Sequence, residues 1–242
     1  MVSKTGFILA LLIGAAVAGC ASTRNLSFGG ENDPLEPMNR QIFGINQALD
    51  EHVMLPIATF YHNRTPQLVR TGLHNFLTNL DMPVTIANDF LQAKPLRFAQ
   101  AVGRFGLNST VGIAGLIDVA SRQGIPNETA DFGQTLGIYG VPEGPYLVLP
   151  LLGPNPPRDI LGDIGDHQFD AMTYIRMRDK VYWRTGRQVL ELLDERERNI
   201  DSLKRIQRTS VDYYATVRSL YRQDRNAKIN GGQPVLEDLP EE

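Results

Sequence analysis

The sequence lacks several groups that define common protein classes. It contains a single cysteine, Cys20, and so cannot form an internal disulfide bond. It has no Gly-x-Ser-x-Gly motif, the usual nucleophile turn of a serine hydrolase, and no Gly-x4-Gly-Lys-Ser/Thr loop for ATP phosphates. We therefore predict that the chain is not an enzyme and that it holds no metal ion or organic cofactor.

The sequence also lacks a surplus of positive charge. Its 24 Lys and Arg residues and 27 Asp and Glu residues give a formal net charge of -3, whereas nucleic-acid-binding proteins usually present a clearly basic surface. No nucleic-acid partner is therefore expected. A membrane surface remains open as a partner, because charge can be concentrated locally.

The N-terminal segment has the features of a secretory signal. An apolar run over residues 7–18 follows Lys4 and is shorter than the about 20 residues that a membrane-spanning helix needs. It ends in Val17-Ala18-Gly19-Cys20, where small residues precede a cysteine that can receive lipid. We predict a signal peptide over residues 1–19 and lipid modification of Cys20. The alternative is a plain secreted protein in which this cysteine occurs by chance.

The residues after Cys20 indicate the destination. Neither Ala21 nor Ser22 is the aspartate that commonly retains lipoproteins in the inner membrane, so we expect an outer-membrane protein facing the periplasm. Two or three acyl chains make such an anchor close to permanent. Residues 20–35 are mostly small and polar, and they predict a lipidated tether.

Helical periodicity dominates the next part of the chain. Apolar residues recur at helical spacing from Met38, and we predict a single, mainly α-helical domain over residues 36–230. We expect Pro56 to break or kink the first helical stretch and Thr65 to cap the next helix. Asp81-Met82-Pro83 is expected to end that helix and to start another.

A different composition follows over residues 132–157. Glycine and proline are so frequent there that we expect no helix, although the residues between them are apolar. Only Tyr146–Leu149 reads as a strand within this hairpin-like loop. Longer, heavily charged helices are expected over residues 181–208 and on to Ile229, before an acidic disordered tail at residues 231–242.

One acidic cluster is dense enough to suggest a site. Its members recur at roughly helical spacing: Asp159, Asp163, Asp166, His167 and Asp170. Metal binding is one interpretation, and a hydrophilic or capping face of a helix is the one that we favour. The four histidines of the chain show no paired spacing in the sequence.

Five motifs resemble one known family, the MlaA (VacJ) lipoproteins. They run in order along the mature chain: Asp33-Pro-Leu-Glu-Pro-Met-Asn-Arg40, Asn75-Phe-Leu-Thr-Asn-Leu80, Arg104-Phe-Gly-Leu-Asn-Ser-Thr110, Asp131-Phe-Gly-Gln-Thr-Leu-Gly137 and Gly144-Pro-Tyr-Leu-Val-Leu-Pro150. The resemblance implies a ring-like bundle of helices in the inner leaflet of the outer membrane. It also implies a central channel that returns stray outer-leaflet phospholipids to a periplasmic carrier of the MlaC type, beside trimeric porins.

A protein of this kind needs a polar passage, because unpaired polar groups cross hydrocarbon at a cost of several kcal/mol. It also needs an apolar outer belt and a mobile gate. With the resemblance in view, our candidates for channel and gate are Asn39, Phe43, Asn46, Gly137, Gly140, Gly144 and Lys180. The alternatives stay open: the asparagines can be helix caps, the apolar stripes can be ordinary core, and the chain can be a porin-docking scaffold or a lipid hydrolase.

Overall fold

The computed structural model describes residues 33–175 and 178–231. The predicted signal peptide, Cys20, nearly all of the tether and the acidic tail beyond Gly231 lie outside these residues, so those predictions stay predictions. The described part is mainly helical, which confirms the predicted fold class.

The first helical stretch is continuous. Helix α1 (Glu36–Leu49) has Pro37 in its first turn and passes through a π-helical segment (Asp50–Met54) into α2 (Leu55–Arg64). Pro56 lies just after the π-helical segment, in which the Leu55 N–H donates to the Asp50 carbonyl five residues earlier. The predicted break at Pro56 is therefore replaced by a local change of helix type just before it.

Helix α3 (Gln67–Leu91) contradicts two of the predicted boundaries. Thr65 is the extended residue that ends α2, and Pro66, not Thr65, occupies the N-cap of α3. The predicted restart at Pro83 is also wrong, because this proline lies inside one helix of 25 residues. A proline removes one backbone hydrogen bond, and packing of the long helix against its neighbours outweighs that loss.

A tight turn joins α4 (Pro95–Thr110) to α5 (Val119–Arg122). Gly115 has a φ of +94°, and a Cβ there would lie 2.5 Å from the Cβ of Asn79 on α3. Glycine is required because any side chain would collide with that helix. Asp118 then caps α5 by accepting a hydrogen bond from the Ser121 N–H at 3.0 Å.

The segment expected to hold no helix contains α6 (Phe132–Ile138), capped by Asp131. That prediction was wrong because the glycines serve close packing: a Cβ on Gly162 of α7 (Pro157–Phe169) would lie 2.4 Å from the Gly133 nitrogen. Between α6 and α7 lies the expected hairpin, in which β1 (Val148–Leu149) pairs antiparallel with β2 (Gly153–Pro154).

The C-terminal region consists of α8 (Ala171–Tyr174), α9 (Lys180–Arg198), α10 (Ile200–Thr209) and α11 (Tyr213–Ile229). The helix predicted over residues 181–208 is divided at Asn199. None of the helices in the described ranges is both long enough and apolar enough to cross a membrane.

Candidate functional site

The helices of the N-terminal half bury polar side chains and expose apolar ones. Four of the six buried residues of α3 are polar (Asn79, Thr85, Asn88 and Asp89, beside Leu77 and Met82), and Thr85, Asn88 and Asp89 share one face at helical spacing. Leu68 of the same helix is 83% exposed. Other large apolar side chains exposed on α2 to α4 are Ile57, Phe60, Val69, Phe90, Leu96 and Val102. This distribution is the reverse of the one expected for a water-soluble helical domain.

The polar interior is held by hydrogen bonds. Arg104 on α4 is 3% exposed and donates to the Ile125 carbonyl at 2.6 Å and to Asp118 at 2.9 Å. Asn108 donates to the same carboxylate at 3.1 Å, and its own side-chain oxygen accepts from the Ala120 N–H at 2.9 Å. Because buried polar groups are costly unless paired, this network fixes α5 against α4.

A second network joins α3 to α6 and α7. The Thr135 hydroxyl donates to the Asn88 side-chain oxygen at 2.8 Å, and Gln92 donates to that hydroxyl at 3.0 Å. The Asn88 amide donates to Asp166 at 2.7 Å, and this carboxylate also accepts from the Phe132 N–H. Polar contacts therefore connect the long helix to the base of the hairpin.

A cavity of about 600 Å³ lies beside this network. The residues that line it are Asp81, Val84, Thr85, Thr129, Ala130, Asp131, Leu152, Asp163, Asp166, His167, Asp170, Met172, Arg184, Arg187, Gln188 and Glu191. Six of these side chains are carboxylates and two are guanidinium groups, so the wall is strongly acidic. We call it the acidic cavity.

One arginine forms ion pairs with three carboxylates in this wall. Arg187 contacts Asp81, binds Asp170 at 3.2 Å and binds Glu191 at 2.5 Å. Burial raises the pKa of Asp166 to about 6, despite the hydrogen bonds from Phe132 and Asn88 that favour its charged form. Burial likewise raises the pKa of Asp81 to about 6, against the attraction of Arg187. The wall is therefore short of compensating positive charge.

The acidic cluster noted in the sequence separates into different roles. Asp159 is buried and accepts hydrogen bonds from Arg225 at 2.8 Å and from Tyr221, so it is not part of a solvated helix face. Asp163, Asp166 and Asp170 line the acidic cavity. In the part of the chain that the structure describes, no group of three or more acidic, His or Cys side chains is arranged to hold a metal ion.

Two of the candidate residues attach the hairpin to α1. The buried amide of Asn39 donates to the Tyr146 carbonyl at 2.9 Å, and its oxygen accepts from the Val148 N–H at 3.0 Å. Two helical turns later, Asn46 makes the same pair of bonds with the Leu149 carbonyl at 2.9 Å and the Leu151 N–H at 2.8 Å. Neither asparagine is a helix cap.

Phe43 lies between these asparagines and packs on the aromatic core of the hairpin junction. Its ring meets those of Tyr213 and Tyr214 edge-on, with centroids 5.3 and 5.5 Å apart. Tyr146, Val148 and Tyr214 form the buried centre of this cluster. The hairpin is therefore held by an ordinary hydrophobic core as well as by two amide clamps.

The three glycine candidates lie near the start of the hairpin segment, and Lys180 does not. Gly140 and Gly144 have φ of +83° and +82°, a conformation that favours glycine, and a Cβ on Gly137 would lie 2.5 Å from Ile229. Lys180 begins α9, and its ammonium group donates to the Thr173 carbonyl. The structure thus brings Asn39, Phe43 and Asn46 together, while Lys180 lies on a separate element.

The histidines are paired in space, although their spacing in the sequence gives no sign of it. His62 lies 2.6 Å from Glu197, and His74 lies 2.7 Å from Asp194. Ser109 accepts a hydrogen bond from Asn79 at 3.0 Å. Every histidine partner identified in the described ranges is an acid, an arginine or a backbone carbonyl, and so no serine–histidine pair is formed.

Comparison with known proteins identifies the family. The family model described as MlaA lipoprotein matches residues 31–228. The chain belongs to the MlaA lipoprotein family.

Curated MlaA relatives extend along almost the whole chain. The intermembrane phospholipid transport system lipoproteins MlaA of Shigella flexneri and Escherichia coli K12 are each 36% identical over 236 residues, covering 96% of this chain and 92% of theirs. A solved structure from work on the structural basis for maintenance of bacterial outer membrane lipid asymmetry matches with a TM-score of 0.75 and 35% identity. That match covers 83% of this chain and all (100%) of that one.

Several residues of this MlaA-family site were not found by sequence reasoning. Asp81 and Leu152 line the acidic cavity, but each looked like an ordinary helix or loop residue. The available signal was the placement of Thr85, Asn88 and Asp89 on one face of a helix that also carries many apolar residues. A polar stripe of that kind indicates a wet interior when the opposite face is apolar.

Proposed function

We propose that the protein is a passive channel for phospholipids, which removes them from the outer leaflet of the outer membrane and passes them towards a periplasmic carrier. The observation that carries the proposal is the inverted packing of α3 and α4, where most of the buried side chains are polar and several large apolar side chains are exposed. The names of the Shigella and Escherichia relatives, intermembrane phospholipid transport system lipoproteins, support the same role.

The exposed apolar side chains supply the belt that such a channel needs. Leu68 and Leu96 are 83% and 71% exposed, and each would gain about 2 kcal/mol on moving from water into lipid. Together with the acyl chains expected at Cys20, this belt seats the domain in the inner leaflet. The rim of porins is a further proposed contact for it.

The acidic cavity supplies a polar environment for the headgroup. A zwitterionic or hydrated headgroup keeps hydrogen-bond partners there, while the hydrocarbon of a leaflet offers none. Transport through it needs no ATP, because lipid imbalance and the carrier supply the direction. We assign the hairpin, attached by Asn39 and Asn46 and flanked by Gly140 and Gly144, as the gate beside this path.

The test is deletion of the gene followed by measurement of phospholipid on the cell surface. We expect surface phospholipid and detergent sensitivity to rise, and the wild-type gene to reverse both. Complementation with Cys20→Ser should fail, because the protein would lose its anchor. Normal surface lipid in a deletion strain that has no related gene would contradict the channel.

Two alternative functions make different predictions. A porin-docking scaffold predicts no phospholipid in protein purified from a Cys20→Ser strain, whereas the channel predicts lipid detectable by mass spectrometry. A lipid hydrolase predicts that labelled phospholipid is cleaved and that Ser109→Ala abolishes cleavage. We expect no cleavage, because the Ser109 hydroxyl accepts a hydrogen bond from Asn79 and no histidine is bonded to it among the described residues.

A further inference from the structure

We propose that the protein has a separate site for phospholipid acyl chains, located between the hairpin tip and the three C-terminal helices α9, α10 and α11. The inference rests on the proposed channel function and adds to it. A channel that only guides headgroups leaves the chains in the leaflet, whereas this site withdraws them before the lipid is handed on.

The site is a second cavity, of about 700 Å³, within the size range of protein ligand pockets. Apolar side chains from several elements line most of it: Leu49, Met54, Leu151, Leu152, Leu192, Leu203, Ile206, Val217 and Leu220. Polar side chains also reach it: Asn46, Asp50, Glu195, Arg196, Asn199, Tyr221 and Asp224. We call it the apolar cavity. Because most of the wall surface is apolar, water gains few hydrogen bonds along those walls, which favours a hydrocarbon ligand.

The two cavities share one residue. Leu152 at the hairpin tip lines both the acidic and the apolar cavity. A polar compartment that adjoins an apolar one matches a ligand with a charged head and hydrocarbon tails. A phospholipid has that form, and we therefore assign its chains, rather than a free fatty acid, as the occupant.

The hairpin tip itself is arranged unfavourably for water. Leu151 has a φ of +67°, a region that non-glycine residues rarely occupy, and both Leu151 and Leu152 are exposed. An apolar ligand beneath the tip would remove Leu151 and Leu152 from water. Strain retained at one position is often a sign of a functional contact.

A polar group stands at the boundary of the apolar cavity. Arg196 binds Asp50 through Nε at 2.6 Å and through Nη2 at 2.9 Å. Its Nη1 is buried and has no hydrogen-bond partner among the described residues. An ester or phosphate oxygen of a lipid whose chains occupy the cavity would satisfy this donor.

The test uses the full chain in vesicles and two photoreactive phosphatidylethanolamines. One carries a diazirine at the end of an acyl chain, and the other carries it on the headgroup. After irradiation, labelled peptides are mapped by mass spectrometry. We expect the chain probe to label α9 to α11 near Leu192, Leu203 and Leu220, and the headgroup probe to label residues of the acidic cavity.

Matched variants decide whether the labelling reports the cavity. Leu192 and Leu190 lie on α9 and are 44% and 41% exposed, but only Leu192 lines the cavity. We expect Leu192→Gln combined with Leu220→Gln to reduce chain labelling of α9 to α11 at least fivefold. Leu190→Gln should leave it within twofold. Equal losses in the two cases would overturn the site.

The outcomes also separate this inference from the channel itself. Headgroup labelling of the acidic cavity with chain labelling confined to α2–α4 overturns the acyl site and leaves the channel standing. Absence of headgroup labelling contradicts the channel, and the acyl site with it. Competition by free palmitate as effective as competition by phospholipid would overturn the assignment to phospholipid chains.

Discussion

Two regions of this molecule are packed in opposite ways. Around α3 and α4 the interior is a hydrogen-bonded polar network and the outer surface is apolar. At the hairpin junction the centre is aromatic, and the guanidinium groups of Arg40 and of the buried Arg218 lie over the ring of Tyr214. The difference teaches that the first region suits a surrounding of lipid, whereas the hairpin junction has the apolar centre of an ordinary protein core.

The largest expected effect is in the polar interior of the first region. Arg104→Met should lower the free energy of unfolding by about 4 kcal/mol, because it leaves the Ile125 carbonyl and Asp118 without their buried partner. Thermal unfolding in mild detergent, followed by circular dichroism, measures it. Arg122→Met, at an exposed position on α5, is the control and should change little. A neutral Arg104→Met would mean that this interior is not held by its hydrogen bonds.

The two amide clamps test the second region. Asn39→Ala should cost about 3 kcal/mol, since it strands a buried carbonyl and a buried N–H of the hairpin. Asn46→Ala should cost about 1 kcal/mol, because its partner at Leu151 is solvent-exposed and can bind water. Urea unfolding of both variants gives the comparison. Equal costs would show that burial does not distinguish the clamps.

Titration of the acidic cavity gives a smaller, pH-dependent effect. A raised pKa means that folding favours the protonated acid, so Asp166 lowers stability above about pH 6 and this loss disappears as the pH falls towards 4. Asp166→Asn should therefore stabilise the protein by about 2 kcal/mol at pH 7.5 and by almost nothing at pH 4. Melting temperatures across this range test the sign. A gain that is constant with pH would mean that the charge of Asp166 is not its cause.

The smallest expected effect concerns the outer belt. Leu68→Gln should reduce partition of the unacylated Cys20→Ser protein into vesicles about tenfold, which corresponds to about 1.4 kcal/mol. Val211→Gln changes a fully exposed apolar residue in the turn between α10 and α11 and serves as the control. Flotation assays give both values. If Val211→Gln lowered partition equally, the lipid-facing surface would not be confined to the inverted helices.

The sequence carried enough information for the fold class, the hairpin and most helices of the C-terminal region. It misplaced elements where tertiary contacts outweigh local preference. Pro83 does not end α3, and the glycines of α6 do not prevent a helix because Gly133 permits contact with Gly162. The helix propensities of single residues do not include contacts between helices that are distant in the sequence.

The candidate site was predicted less completely. Asn39, Phe43 and Asn46 lie together beside the hairpin, but spacing alone did not reveal that both amides bind its backbone. The ion pairs of Arg187 could not be predicted, because its partners Asp81 and Asp170 are distant in the sequence. A site assembled from separate helices appears only when the helices are placed.

The close approach of Gly133 and Gly162 has a mechanical consequence. With no side chains between them at these two positions, α6 and α7 pack backbone to backbone and form one helix pair. The segment from Tyr139 to Pro156, which contains the hairpin, begins at the end of α6 and ends at the start of α7, so both of its ends are fixed by this helix pair. Gly140 and Gly144, both at positive φ, lie where the chain leaves α6, while Asn39 and Asn46 bind the hairpin backbone to α1. A larger side chain at Gly162 would therefore push α6 and α7 apart and shift the ends of the hairpin segment without contacting the hairpin itself.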